Sequence, residues 1–448
     1  MTSDKSIKKK NSYTLDLTSL LPFKILLSEK ENSLELIRGL MSGKINLDSI
    51  KLEIEKFFPI LEEDIIFMVD NFQKVTLEYS ANAHVSTKDV EILVQEVISK
   101  ELPLTLFNRS TKKPMTYITR NLLGIPLIGS LYFGVIDRGT NLLQIRAITG
   151  CPLNCPFCSV DEGPASQTKI RDFIVDTDYL VDTYNQVVSE KLLKNAEAHL
   201  DGQGEPMSYP YLVELVQKLN DNPATNVVSI QTNGWFLEEK LIDELAEVNL
   251  SRINLSINTL NTQMGKKLSG RGDYPLEKIL ELAEYIANSN ISLLLAPLWI
   301  PGVNDDDIEE IIKFSLKINS NGDKYPSLGI QNYLLHNQGR NMKGIKQKSF
   351  SDFNKQLREF EKRLGGKDLV LKPYMFNNYK TEMIQNPMKV NEIIDAKVVL
   401  FGRKENEIFA IAKNRLIHVI NADNASIGKR IKVRIIRNRH NIFFAKPV

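Results

Sequence analysis

Cys151-Pro-Leu-Asn-Cys155-Pro-Phe-Cys158 holds every thiol in a chain of 448 residues. Iron–sulfur clusters are held by cysteine thiolates, and three thiolates on a four-iron cluster leave one iron open to a non-protein ligand. The competing reading is a structural zinc site, which takes four protein ligands, usually Cys or His. There is no fourth cysteine, and none of the five histidines, His84, His199, His336, His418 and His440, is close in sequence to the triad. A zinc ion would need a distant histidine folded in. Three thiols packed this tightly do not make a disulfide framework; free thiolates and an oxygen-sensitive cluster both suit a reducing compartment.

Working outward, the length suggests two or three domains. Apolar residues make up 42% and charged residues 25%, an ordinary globular balance. The longest apolar stretch, near residues 291–300, is broken by Pro297 and falls short of the roughly 18 residues that cross a bilayer. The opening Met1-Thr-Ser-Asp-Lys-Ser-Ile-Lys-Lys-Lys10 is basic without the apolar run of a secretion signal. A cytoplasmic protein with no membrane association is expected. The net charge of +2 hides an asymmetry: residues 389–448 hold thirteen Lys and Arg against five Asp and Glu, a local +8, so the remainder carries −6. Such a tail suggests an anionic partner, nucleic acid being the common one.

Residues 1–110 read as a basic leader followed by amphipathic helices, for instance Asp48-Ser-Ile-Lys-Leu-Glu-Ile-Glu-Lys-Phe-Phe and the stretch opening at Thr87. Residues 111–365 read differently. Asp137-Arg-Gly139 is a turn between two strands, the second of which delivers the chain to Cys151. Strands are then expected at 197–201, 227–232, 253–257, 292–296 and 328–334, with helices between them. That alternation predicts βα units and a parallel sheet of six strands, counting the one before Cys151. Ligands bind at the carboxyl ends of such strands. Residues 366–389 form a linker. Residues 390–448 hold five short strand patterns, expected as a small antiparallel barrel of the OB type.

The spacing C-x3-C-x2-C, with the aromatic Phe157 before the last cysteine, resembles the signature of the radical S-adenosylmethionine (SAM) superfamily, here an archaeal branch of iron–sulfur oxidoreductases. The resemblance covers residues 142–335 and implies a partial TIM-type (β/α)6 barrel with a [4Fe–4S] cluster on Cys151, Cys155 and Cys158 and SAM as cofactors. Asp201-Gly-Gln-Gly-Glu205-Pro206 resembles the family's Gly-Gly-Glu-Pro segment, with Gln203 where Gly is usual; by resemblance Gly202, Gln203, Gly204 and Glu205 meet the SAM ammonium group. Taken alone, a glycine-rich stretch is a turn, in which glycines allow close backbone approach. Ser256 and Asn258 share a strand face, and their partners by resemblance are the SAM ribose hydroxyls; the plain alternative is a strand-end turn. Pro301 and Gly302 resemble the place where family members contact adenine. Gln231-Thr-Asn-Gly234 is a turn by chemistry and a weaker candidate for the substrate side. His199 and His336 read as core histidines rather than acid–base groups.

The closing stretch resembles the TRAM domain, a small RNA-binding barrel. Lys429, Arg430, Lys432, Arg434, Arg437 and Arg439 would contact phosphates, and Phe443 would stack a base unless it fills the barrel. Together the resemblances imply reduction by a ferredoxin-like donor, cleavage of SAM to methionine and a 5′-deoxyadenosyl radical, and hydrogen abstraction from RNA, either tRNA or rRNA. With a single cysteine triad, neither a second cluster nor a methyl-carrying cysteine is available. Alternatives are a radical enzyme acting on a protein or small metabolite, or a non-catalytic RNA-binding iron–sulfur protein.

Overall fold

The structure, a computed structural model, describes residues 11–20, 23–58, 60, 62–70, 73–81, 85–122, 124–318, 324–365, 368–422 and 426–448. The basic leader, residues 1–10, lies outside them. Two compact units are present, Met1–Tyr117 and Ile118–Val448. Among the described residues no helix is long and apolar enough to cross a membrane.

The first unit is mixed, which corrects the helical expectation. Its longer helices fall where the amphipathic windows put them, at Leu47–Phe57 and Thr87–Thr105. The side chain of Asn46 accepts from the Asp48 N–H and caps the first of these. Most of the remainder is strand. Val75–Ala81 pairs between Asn11–Asp16 and Ile65–Val69, and a second sheet runs Lys24–Ser28, Ser33–Arg38, Met41–Asn46, Phe107–Asn108. These strands are short, and a period of two over so few residues is masked by neighbouring helical windows. Val75, Leu77, Tyr79 and Ala81 are buried while Thr76, Glu78 and Ser80 are half-buried.

In the second unit a six-stranded sheet is ordered Ser292–Leu295, Arg252–Leu255, Thr225–Thr232, Ala196–Leu200, Leu142–Arg146, Gly134–Asp137. The last pairs antiparallel and the others parallel. Residues 327–333 continue it as a sixth parallel run. Leu295 N–H donates to Ser327 O, Gly329 N–H to Leu295 O and Gln331 N–H to Pro297 O, each at 2.8 Å. Helices follow the strands at Leu212–Asn220, Glu239–Glu247, Leu276–Ala287 and Asp305–Ile318.

Parallel strands in register turn paired residues to the same side. Ala198, Leu200, Val228, Ile230, Ile253, Leu255, Leu293 and Leu295 are buried beneath the helices. The alternate positions, Glu197, His199, Ser229, Gln231, Arg252 and Asn254, face the interior. A polar interior must supply partners, and this one supplies most of them: Arg146 pairs with Asp201 at 3.0 Å, and Arg252 pairs with Glu197 at 2.5 Å.

The C-terminal strands Ile393–Phe401, Glu407–Ala412, Arg415–Ile420, Phe443–Pro447 and Arg430–Arg437 close into a barrel, the last pairing back to the first. Its core includes Val398, Ala410, Val419, Val433, Ile435 and Phe443. Phe443 has no exposed surface, which corrects its expected role in stacking: it fills the barrel, and its half-buried neighbour Phe444 stacks on His418 with centroids 4.6 Å apart.

This barrel is packed onto the parallel core. Phe409 meets Phe133 and Phe173, each with centroids 5.6 Å away. Leu416 N–H donates to Ile128 O, and Phe443 N–H to Gly129 O. The approach at Gly129 is so close that a Cβ there would sit 2.1 Å from Leu416 O, so only glycine fits.

Candidate active site

The three cysteines lie on the loop leaving the strand Leu142–Arg146 and line one cavity of about 490 Å³. Around them, Asn233 follows the strand Thr225–Thr232, Ser256 and Asn258 follow Arg252–Leu255, and Ala296 and Leu298 follow Ser292–Leu295. The cavity thus sits at the carboxyl ends of the strands, as parallel βα architecture dictates. Phe157, Tyr274, Tyr333 and His336 complete much of its wall.

The cysteine loop is held by backbone bonds: Asn154 N–H to Ser269 O, Cys158 N–H to Cys155 O, and Arg340 N–H to Cys158 O. Three donors face the sulfurs: Leu153 N–H and the Asn233 amide toward Cys151 at 3.4 Å, and Glu162 N–H toward Cys158 at 3.3 Å. Burial, and next the neighbouring Cys158, push the Cys155 thiol up to about 12; burial holds Cys151 far above its ordinary range. Thiolates here therefore need a bound cation. Among the described residues no three Cys, His, Asp or Glu side chains gather round one point for a single ion. Thiols that share a cavity without converging suit a cluster, in which each thiolate takes a different iron.

Gly202, Gln203, Gly204 and Glu205 underlie the triad and do not line the cavity. Gly150 N–H donates to Gln203 O and Glu205 N–H to Gly150 O, and a Cβ on Gly204 would stand 2.2 Å from Gly150 O. Buried Glu205 accepts from Met207 N–H, Thr232 Oγ1 and Asn233 N–H at 2.7–3.0 Å. Burial still pushes its carboxyl up to about 7. Its structural work is to tie the turn to the next strand's end and to aim Asn233 at Cys151. Asn258 lines the cavity and accepts from Leu298 N–H at 2.8 Å. Ser256 lines it too, bonded to Gln231 Nε2 at 3.0 Å.

Pro301 and Gly302 do not line the cavity, a correction to their expected contact with SAM. Asp305 explains why: its carboxylate takes both the Gly302 N–H and the Trp299 indole N–H, making the segment a turn into the helix Asp305–Ile318. Leu298, three residues earlier, lines the wall instead. Asn233 lay within the weaker turn candidate; Tyr274, Tyr333 and His336 carried no motif.

The structure also brings in Arg403, which carried no site signal in the sequence. It lies between two barrel strands and is fully buried. Its guanidinium is bidentate on Glu162 and reaches Asp172 Oδ1 at 2.8 Å. The same Glu162 donates its N–H to Cys158 Sγ, and its carbonyl accepts from Arg340. The barrel is thereby one residue removed from a cluster ligand.

A cysteine triad over a parallel βα sheet, with donors aimed at its sulfurs, defines an iron–sulfur radical site, and residues 145–315 match the model of the Radical SAM superfamily. The chain belongs to that superfamily, whose members use a [4Fe–4S] cluster and SAM. It is 41% identical over 423 residues to the uncharacterised protein MJ0103 of Methanocaldococcus jannaschii, spanning 90% of this chain and 96% of that one. The GTP 3′,8-cyclase of Chlorobaculum tepidum is 27% identical over 179 residues, 40% of this chain and 51% of the cyclase. The chain thus spans about half the length of that relative. Streptococcus suis SuiB bound to S-adenosylmethionine aligns with TM-score 0.35 and 15% identity over 63% of this chain and 56% of that one.

Proposed function

We propose that this radical SAM enzyme modifies RNA, either tRNA or rRNA, in the cytoplasm, taking electrons from a ferredoxin-like donor. Bound at the cysteine triad, the cluster and SAM would supply the chemistry for taking a hydrogen atom from an unactivated carbon. The residues of the chain hold and orient: Cys151, Cys155 and Cys158 would ligate the cluster, and the Asn233 amide and the Glu162 N–H would offset charge on its sulfurs.

The observation that carries the RNA reading is the outer face of the strand Arg430–Arg437. Arg430, Lys432, Arg434 and Arg437 are exposed, whereas Val433 and Ile435 point into the barrel. Arg430 pairs with Asp395 at 2.8 Å; among the described residues no carboxylate is paired with Lys432, Arg434 or Arg437. Arg437 and Arg439 also lie near Arg138 of the core hairpin, whose guanidinium is held below its ordinary range first by burial and then by neighbouring cations. A basic row spanning barrel and core suits a polyphosphate backbone. A small nucleotide is the second reading, favoured by the alignment with GTP 3′,8-cyclases.

The test is 5′-deoxyadenosine release by the reduced, reconstituted enzyme, with nucleoside mass spectrometry of the RNA. Stimulation by tRNA or rRNA with a new mass in one nucleoside supports the proposal. Stimulation by GTP alone moves the function to the second reading, and no effect of either overturns both.

A further inference from the structure

Along the same strands, the sheet lines a second, open-sided chamber of about 510 Å³ that shares Ala296 and Gln331 with the cysteine cavity. The sheet supplies a polar wall of His199, Gln231, Arg252 and Asn254, with Leu294 beside Asn254; Phe353, Leu357, Phe376 and Lys372 also line the chamber.

The hydrogen bonds fix what the polar wall offers. The Ser229 hydroxyl gives its one proton to Glu197 Oε1 at 2.6 Å, since a carboxylate only accepts. Toward His199 Nδ1, at 2.7 Å, Ser229 can then only accept. His199 therefore carries its proton on Nδ1 and presents a bare Nε2; burial, which holds its pKa below the ordinary value, keeps the ring neutral. Arg252 Nε donates to Asn254 Oδ1 at 2.9 Å, which leaves the Asn254 NH₂ as a donor. The Arg252 guanidinium is clasped between the rings of Tyr325 and Phe376, at 4.8 and 5.0 Å. Its Nη1, like Oε2 of its ion-pair partner Glu197, is buried without a hydrogen-bond partner and has no surface open to the chamber. Gln231 bonds to Ser256 and so joins this wall to the cysteine cavity.

A ring acceptor and an amide donor without partners on a pocket lining call for a ligand that supplies them. We infer that the chamber seats the substrate's nucleobase, its hydrogen-bonding edge read by His199 Nε2 and the Asn254 amide, and its faces packed on Phe353 and Leu357. An anion is a poor match for the sheet side, where Glu197 already balances Arg252 and His199 presents a lone pair; Lys372 lines the far rim. A hydrocarbon would leave the polar wall unmet. A flat, neutral ring with both donors and acceptors on its edge satisfies each atom, and in RNA it would be a base swung out of its strand. This assignment rests on the nucleic-acid or nucleotide reading of the function.

The probes are AMP, GMP, CMP and UMP, with ribose 5-phosphate as control, bound to the SAM-loaded holoenzyme under anaerobic conditions and followed by calorimetry. One nucleotide is expected to bind above the control, and His199→Phe and Asn254→Leu each to weaken it about tenfold, the worth of one good hydrogen bond. Phe353→Trp, which narrows the chamber from its apolar side, should weaken it as well. SAM affinity, unchanged within twofold, checks that each variant is folded. The assignment is overturned if no nucleotide exceeds ribose 5-phosphate, or if all three variants bind as the wild type does. If RNA is modified at the wild-type rate by His199→Phe and Asn254→Leu, the chamber assignment falls while the RNA reading stands. If nucleotides bind here and no RNA is modified, the RNA reading falls and the chamber assignment stands.

Discussion

Lys169 is 5% exposed, and burial, then the charge of Arg403, pulls its ammonium down to about 8. A base whose folded pKa lies below its ordinary value of 10.5 binds fewer protons folded than unfolded between the two values. The penalty is therefore complete below pH 8 and is relieved as pH rises toward 10. Lys169→Met should stabilise the fold at pH 7 by about 1–2 kcal/mol, and the gain should shrink toward zero by pH 10 in melting curves. A gain that ignored pH would point to packing instead. Asn233 acts on a ligand: its amide donates to Cys151 Sγ while Glu205 holds its N–H at 2.8 Å. Hydrogen bonds to cluster sulfurs help set the potential, so Asn233→Ala should move the midpoint to more negative values in a redox titration followed by electron paramagnetic resonance. An unchanged midpoint would reduce this amide to a lining group.

The segment from Cys158 to Asp172 and the barrel turn bearing Arg403 form one element. Arg403 faces two buried carboxylates, and removing one partner of such a group costs about 3–5 kcal/mol because the remaining charge is stranded. Arg403→Gln should therefore lower the melting temperature and, through Glu162, speed the transfer of iron from the holoenzyme to a chelator. His418→Asn is the control. His418 Nδ1 pairs with Glu407 Oε1 at 2.8 Å, and His418 Nε2 accepts from Leu131 N–H at 3.0 Å, at the same interface but off the cysteine loop. It should cost stability and leave iron retention alone. Equal iron loss in both variants would make Arg403 a packing residue only.

For the second unit as a whole, the barrel completes the core instead of trailing from it. Deleting residues 390–448 would uncover Phe133 and Phe173, both without exposed surface, and remove both partners of Gly129 and Ile128 backbone carbonyls. The truncated protein should aggregate or melt early, as measured by light scattering and calorimetry; a stable, cluster-loaded truncate would refute this. The outer basic row should make RNA affinity fall with salt, with a slope near 0.7 per phosphate contact on single strands. Replacing Lys432 and Arg434 by Gln should flatten the slope by about 1–2 in filter binding, leaving SAM affinity as it was.

Local pattern carried much of this. The triad spacing, the alternation of strands and helices after it, and five short C-terminal strands were legible because each is a periodicity or a motif within a few residues. The strands of the first unit were not, since five to seven residues of period two are lost among helical windows. Pro301 and Gly302 were misplaced because the sequence does not reveal that Asp305 takes their turn for a helix start. By itself the chain's order of residues determined that three thiols would share the mouth of a βα barrel. Only the tertiary structure decided that Arg403 meets Glu162 across 241 residues, that Phe443 turns inward, and that His199 keeps a free Nε2, because partnership between distant polar groups is set by chain closure and not by spacing.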